Sequence, residues 1–410
     1  MIIANKNFVF AHILSPIICF LTSILFRFGI VDELAIYIVT ACFGILANIG
    51  LYVFLKNKFS PILSLTGAIL FGSFTLNLLW WGNGTLDIPA VALSIWVIIF
   101  SIIAIDKNPK FYLIAIPLFV ISVFTRYTTI FIFPLVLLYY FTKHDFFVYL
   151  DNLISDRESF KNDFKTFLRS DNCKYLTIGI IISVIITIVL VVVILAFGSP
   201  LSFLTQTSTF ASGSKGEIID NAYTTDTFFY VHEFLNFLFA NKIVFNNVIP
   251  IISNPSPISY LIVSILVVGM GIGFYKLIIR FKSTLKSEYN LGFKTKNFAN
   301  SLKIGFVLCI ILGILSFKIN SLITITLMLI ALVILFSLLI NYFDRLDYSI
   351  TALALAWFLI YFIFFTFLNI KVNRYIIPAL PAFVYFVIYA FDFILKAFFG
   401  DETNENSNYF

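Results

Sequence analysis

Residues 176–197 read LTIGIIISVIITIVLVVVILAF, a stretch without a charged side chain. A helix of about 20 apolar residues is long enough to cross the hydrocarbon core of a bilayer. Apolar runs of this kind recur along the 410-residue chain, of which 60% is hydrophobic and only 12% is charged. A soluble protein of this composition could not cover its surface with polar groups. The sequence therefore predicts an all-α protein, a polytopic transmembrane helical bundle.

Twelve apolar segments can be distinguished, so we expect about 11–12 membrane segments. The fifth, sixth and ninth are short and fit tilted or partly interfacial helices, and the first, with Ser15-Pro16 in its middle, also fits a helix on the membrane surface. The segments lie at about 8–26, 33–55, 60–81, 86–105, 111–124, 127–141, 176–197, 257–279, 304–317, 319–340, 348–369 and 375–398.

Most of the 27 Lys and Arg residues fall on one side of this pattern. Basic loops mark the cytoplasmic side of a membrane protein, so we expect a multi-pass protein of the cell membrane with membrane lipids, and not nucleic acid, as partners. The predicted units are N-terminal membrane helices 1–141, a charged cytoplasmic loop 142–175 that is a solvated helical excursion, a membrane helix 176–197, an outer loop 198–256, C-terminal membrane helices 257–398 and a cytoplasmic tail 399–410.

The outer loop is polar through Thr225 and then aromatic from Phe228 to Phe237. Loops of this length are functional or disordered as a rule, so a lid over the membrane surface and a flexible connector both remain open.

Four charged residues, Asp87, Arg126, Lys371 and Arg374, each stand at the edge of an apolar segment. A charge there is costly unless water, a partner or a ligand receives it. The predicted topology puts all four on the outer side, where three basic groups can bind a phosphate or pyrophosphate. The alternative is that the basic residues reach lipid headgroups, within an aromatic belt of Trp80, Trp81, Tyr127 and Tyr375.

Asp87 fits this alternative poorly, because a carboxylate gains nothing from headgroup phosphates. We expect it to pair with Arg126, Lys371 or Arg374. Arg374 also precedes the last helix, whose first amides favour an anion. Pro378 and Pro381 are expected to leave the backbone of this first turn exposed.

Three motifs support a family resemblance: Leu86-Asp87-Ile88-Pro89, Thr125-Arg126-Tyr127 and the late element Arg374-Tyr375-Ile376-Ile377-Pro378-Ala379-Leu380-Pro381. Over about residues 8–141 and 348–398 the chain resembles the polytopic GT-C glycosyltransferases. It is most similar to the dolichyl-phosphate-mannose protein mannosyltransferase and lipid A aminoarabinose transferase group.

The resemblance implies an integral membrane glycosyltransferase that transfers a sugar from a polyprenyl-phosphate-linked donor to an acceptor on the outer face. It implies that Arg126, Lys371 and Arg374 hold the lipid phosphate, with Tyr127 and Tyr375 beside them in the substrate site. Asp87 would orient one of these cations or contact a sugar or acceptor hydroxyl. The sugar and the acceptor are left open.

The family's catalytic acid lies in a first outer loop after an initial transmembrane helix, and the alignment of Ser15-Pro16 predicts that this chain lacks both. The catalytic residue is therefore unassigned. We interpret Asp32-Glu33 as an ordinary helix start, and four acids of the outer loop remain candidates for the base: Glu217, Asp220, Asp226 and Glu233.

Two other functions remain open. An inactive GT-C-like scaffold fits the missing acid, and a lipid or solute transporter fits a helix loosened by Gly269, Gly271 and Gly273. The enzyme predicts one outer-facing cavity lined by Asp87, Arg126 and Arg374, with a lateral opening for a lipid tail. No cofactor is evident, and dependence on a divalent metal is undetermined, because no compact acidic cluster of the Asp-x-Asp kind lies on the outer side.

Overall fold

A computed structural model describes residues 16–143, 157–197, 224–246, 249–284, 293–317, 319–345, 348–368 and 371–400. Three 3₁₀ turns and one β-hairpin accompany its α-helices: Pro109–Phe111, Tyr127–Phe131, Asn373–Ala379, β1 Ala240–Asn246 and β2 Ile249–Pro255. The α-helices are α1 Pro16–Arg27, α2 Leu34–Lys56, α3 Pro61–Ser73, α4 Thr75–Trp81, α5 Asp87–Asp106, α6 Tyr112–Thr125, α7 Ile132–Lys143, α8 Arg157–Arg169, α9 Asp171–Phe197, α10 Phe229–His232, α11 Phe234–Leu238, α12 Pro257–Thr284, α13 Phe293–Ser316, α14 Ser321–Arg345, α15 Ser349–Phe367 and α16 Leu380–Phe399.

The helices confirm an all-α polytopic membrane bundle. Within the described residues, seven helical segments are long and apolar enough to cross a bilayer, and α3 with α4 makes an eighth if the bent pair is one span. Four further apolar helices are shorter: 16–27, 109–125, 127–143 and 300–316. In its described part, each of the twelve predicted segments overlaps one of these helices or, for 60–81, the bent pair. By length, fewer of them qualify as full crossings than we predicted.

Segment 60–81, predicted as one run, is bent by 64° between α3 and α4. The bend lies at Phe74, whose backbone leaves the helical region. A break frees backbone carbonyls that need new partners in an apolar setting, and the buried Asn77 side chain donates to Phe71 O at 2.6 Å. The bend directs α4, and with it Trp80, toward the start of α5.

Helix α5 lies at the centre of the bundle, with 78% of its most apolar stretch buried, whereas the corresponding share of α9 is 11%. It packs against α2, α6 and α7. The uncharged helix α9 instead exposes rows of Ile and Val side chains, as expected for a surface that faces lipid. Residues at the first turn of α5 are therefore held by the best-packed part of the protein.

Gly269 and Gly273 do not loosen their helix, which corrects the expectation that favoured a transporter. Helix α12 runs unbroken through them and packs against α16. A Cβ at Gly269 would overlap the Ala390 carbonyl oxygen, and one at Gly273 would come 2.7 Å from the Phe393 ring. Small residues four apart let two membrane helices approach closely. These two glycines therefore allow α12 to pack closely against α16.

Replacing Gly269 by Ala is expected to destabilise the protein by about 1–3 kcal/mol, because a methyl group cannot fit against backbone without a shift of α16. Gly271→Ala is the matched control, since a Cβ there meets nothing within 4 Å. Thermal unfolding in detergent measures both. Equal midpoints for the two variants would contradict the close packing of α12 on α16.

The described part of the outer loop, residues 224–246 and 249–256, is folded. Its aromatic half packs on the bundle, with Tyr230, Phe237 and Leu238 buried. The hairpin pairs β1 with β2 in antiparallel register from Asn246↔Ile249 to Ala240↔Pro255. The connector interpretation is therefore wrong for these residues, whereas movement as a lid stays a prediction.

The charged segment 142–175 contains α8, in agreement with a helical excursion, and α9 begins at Asp171, five residues earlier than predicted. The polar start of the outer loop with Glu217 and Asp220 lies outside the described residues, as does the tail from residue 401.

Candidate functional site

Asp87 is the first residue of α5, and its side chain is 3% exposed. The preceding turn depends on Gly84, which adopts a φ of +61° that other residues rarely tolerate. The carboxylate forms an ion pair with the Arg126 guanidinium, and its Oδ2 lies 3.9 Å from Arg374 Nε. The structure thus brings three of the predicted site residues together.

Arg126 lies in extended backbone between α6 and the 3₁₀ turn Tyr127–Phe131. Its amide donates to Ser122 O, and its carbonyl accepts from both the amide and the hydroxyl of Thr129. Its guanidinium carbon lies 5.3 Å from the centre of the Tyr375 ring. With a side chain only 12% exposed, Arg126 is held by backbone, carboxylate and ring together.

Arg374 is the more open of the two arginines, with a side chain 28% exposed. It lies over the Trp80 ring, with 5.3 Å between the guanidinium carbon and the ring centre. Arg374 Nε and Trp80 Nε1 are two of several buried polar atoms in the described part of the chain that have no hydrogen-bond partner. Buried donors normally have a partner, so Arg374 retains capacity to bind an anion that approaches the cluster.

Lys371 was one of three cations expected to pair with Asp87. In the structure its ammonium contacts a different group. Its ammonium donates to Leu368 O at 2.6 Å, and its backbone forms an isolated antiparallel bridge with Thr224. Burial lowers the pKa of Lys371 to about 8, and the charge of Asp226 opposes this shift. The bridge joins the Lys371 backbone to the outer loop.

Tyr375 and Tyr127 occupy the two turns that carry the arginines. Tyr375 is buried beneath Arg126 and stacks on Phe365, with 5.4 Å between ring centres. Tyr127 begins its 3₁₀ turn and is half-buried. Together with Trp80 beneath Arg374, Tyr375 forms a floor under the cations, so neither ring belongs to a simple aromatic belt.

One expectation about the last helix is wrong. A 3₁₀ turn precedes α16, and its residues from Ile376 onward are buried together with Leu380. Two prolines in this stretch cannot donate backbone hydrogen bonds, which favours the tighter turn over a regular helical start. The first-turn amides are therefore not open to an anion, and the side chains of Lys371 and Arg374 carry the charge at this point.

An apolar groove of about 470 Å³ opens on the side of the bundle. It is not lined by Asp87, Arg126 or Arg374, contrary to the predicted cavity. Tyr230 connects it to the charged cluster, because its ring lines the groove and its hydroxyl donates to Val372 O at 2.9 Å. The other lining residues are Val231, Phe234, Val263, Leu266, Met270, Leu355, Phe358, Leu359, Phe362, Phe383 and Phe386.

Asp32 and Glu33, considered from sequence as a substitute for the missing acid, have structural roles at the start of α2. Asp32 Oδ1 accepts from the Leu34 amide and Glu33 accepts from Tyr37, as expected of an ordinary helix start. The described residues contain no group of three or more His, Cys, Asp or Glu side chains that could hold a metal ion.

Residues 14–150 match the family model of dolichyl-phosphate-mannose-protein mannosyltransferases. This confirms the GT-C resemblance for the part of the chain that carries Asp87 and Arg126; the late Arg374 element lies beyond the match. The match and the apolar helices support a multi-pass membrane glycosyltransferase that uses a lipid-linked sugar donor. No curated protein and no solved structure matches the chain.

Proposed function

We propose that the protein transfers a sugar from a polyprenyl-phosphate donor to an acceptor at the outer face of the cell membrane. The observation that carries this proposal is the buried Asp87 between Arg126 and Arg374. One carboxylate against two guanidinium groups leaves one positive charge, and the nearby Lys371 adds another below its pKa of about 8. Such a cluster favours a phosphate, which needs charge stabilisation as it leaves the sugar.

The groove supports the lipid part of this donor. Its lining side chains carry no nitrogen or oxygen atom except the Tyr230 hydroxyl, which is engaged with Val372 O. A polyprenyl chain can lie against these rings and methyl groups while its phosphate reaches the backbone segment that bears Lys371 and Arg374. The volume of about 470 Å³ is sufficient for part of such a chain.

The direct test is turnover of dolichyl-phosphate-mannose by the purified protein in lipid nanodiscs, measured as release of dolichyl phosphate. We expect release that depends on Arg374. Binding without release would favour the inactive scaffold, and absence of both would contradict the proposal.

Filling the groove is expected to discriminate donors by chain length. In Leu359→Trp the indole displaces roughly two methylenes of the lipid, a loss of about 1.6 kcal/mol or roughly tenfold in KM for a long-chain donor. A short, water-soluble prenyl donor is expected to be unaffected. Leu261→Trp is the control, since Leu261 is 60% exposed on α12 and does not line the groove. Equal KM values for both variants and both donors would exclude the groove as the lipid site.

Activity is expected to fall as pH rises through about 8, because Lys371 then loses the positive charge that attracts the donor phosphate. The value of kcat/KM reports ionisation of the free enzyme, so this ratio should decline between about pH 7 and 9, roughly one unit on either side of the transition. In Lys371→Arg the guanidinium stays charged, and the decline should disappear. An unchanged decline in this variant would assign the titration to another group.

A further inference from the structure

Thr224 joins a short part of the outer loop to the backbone of Lys371, beside the charged cluster. Its backbone exchanges two hydrogen bonds with Lys371, each of 2.9 Å. Its hydroxyl accepts from the Asp226 amide at 3.1 Å. This pairing across almost 150 residues places Asp226 next to the segment that carries Lys371 and Arg374, as the influence of Asp226 on the Lys371 charge also shows.

Asp226 in turn holds His232. One carboxylate oxygen accepts from the Phe228 amide at 3.0 Å, and the other lies 3.3 Å from His232 Nδ1. The Phe228 ring packs near the imidazole, with 6.2 Å between ring centres. Because a carboxylate only accepts hydrogen bonds, this contact places a proton on Nδ1, and in the neutral imidazole Nε2 then carries the lone pair.

The location of His232 distinguishes it from a histidine that only caps a helix. Its side chain is 64% exposed, whereas the adjacent Val231 and Tyr230 line the apolar groove. Tyr230 also reaches Val372 O, between Lys371 and Arg374. The imidazole is therefore open to water, next in sequence to the groove residue Val231 and held by Asp226, which lies near Lys371.

We propose that His232 is the proton acceptor of the transfer reaction and that Asp226 positions it. This inference rests on the proposed function. The acceptor is a hydroxyl compound that arrives from the aqueous side. Its oxygen forms a bond to the anomeric carbon of the sugar, and the bond from that carbon to the donor phosphate breaks. The phosphate leaves with the electron pair toward Lys371 and Arg374, and the hydroxyl proton passes to His232 Nε2.

Other acids in the described part of the loop are less suited to this role. Glu233, next to His232, accepts from the Asn236 amide group at 2.6 Å. Asp226 itself has both oxygens engaged, by Phe228 and by His232. An Asp–His pair is an effective base because the carboxylate fixes the tautomer and stabilises the imidazolium that forms.

The test uses the full chain in nanodiscs with dolichyl-phosphate-mannose as donor and water as acceptor, and measures release of free mannose. We expect His232→Ala to lower kcat by about 10²–10⁴-fold while donor binding is retained. Imidazole added to the buffer should restore part of the rate, which a purely structural role would not allow. Asp226→Asn should lower kcat as well, whereas Lys242→Gln, at an exposed position on β1, should retain the wild-type rate.

Full activity of His232→Ala would overturn the inference and leave the proposed function intact. The same holds if imidazole gives no rescue, or if Glu233→Gln and not His232→Ala abolishes release. If the wild-type protein neither binds nor cleaves the donor, the proposed function fails and the inference fails with it.

Discussion

Asp87→Asn is expected to destabilise the protein by about 3–5 kcal/mol and to abolish turnover, because it leaves the buried Arg126 guanidinium without its counter-charge and places the partly exposed Arg374 beside it unopposed. The Asp87 side chain is 3% exposed and Arg126 is 12% exposed, so water cannot replace the lost carboxylate. The effect should appear as a lower unfolding midpoint in detergent and as loss of mannose release.

The control for Asp87 is Asp392→Asn, which removes the carboxylate of a more exposed pair. Asp392 and Lys396 lie one helical turn apart near the end of α16, with side chains 19% and 23% exposed. Pairs in such positions contribute about 0–1 kcal/mol. In addition, Asp87→Asn combined with Arg126→Gln should cost less than the sum of the two single changes, because the second change removes the unpaired charge. Strict additivity would contradict a direct pair.

Arg374→Gln is expected to lower kcat/KM by about 10²–10³-fold with little loss of stability. Arg374 is only loosely paired, since its Nε lies 3.9 Å from Asp87, and 28% of its side chain is exposed. A group held in this way is available to a ligand, whereas Arg126 is committed to Asp87 and Tyr375. The largest loss should therefore be in donor affinity and turnover.

Arg27→Gln provides the matched control for Arg374, because Arg27 is an exposed arginine at the end of α1 on the same predicted side of the membrane. It should leave kcat/KM unchanged. If both variants lose activity equally, the effect of Arg374 reflects general attraction of an anionic substrate and not a specific phosphate contact. Stable protein with wild-type kcat/KM in Arg374→Gln would remove Arg374 from the site.

The charged cluster could be predicted in part because charges at the ends of apolar runs are rare and costly. Asp87, Arg126 and Arg374 all met that criterion, and the structure brings them together. Lys371 met it too, yet its pairing with Thr224 depends on the path of a loop that no local pattern specifies. Trp80 entered only the alternative interpretation, as part of an aromatic belt, since nothing near it in sequence indicates that Arg374 lies over its ring.

The other features of the structure that could not be predicted from the sequence also depend on contacts between residues that are not adjacent in the chain. The bend at Phe74 follows the pair Gly72-Ser73, and the carbonyl that it frees is satisfied by Asn77, a single polar residue within an apolar run. The hairpin alternates too briefly between polar and apolar residues to stand out from its aromatic surroundings. Asp226 and His232 are six positions apart, and only the turn at Phe228 brings their side chains together. Such features arise from tertiary contacts more than from local propensity.

The central claim is that the cluster at Asp87 receives the phosphate of a donor whose lipid tail lies in the apolar groove. The most direct measurement is a cryo-electron microscopy structure of the protein with bound dolichyl phosphate. We predict phosphate oxygens about 2.7–3.2 Å from nitrogen atoms of Arg374 and Lys371, with prenyl density against Leu359 and Phe383. Phosphate density elsewhere, with Arg374 still directed at Asp87 and the groove occupied by annular lipid alone, would contradict the claim.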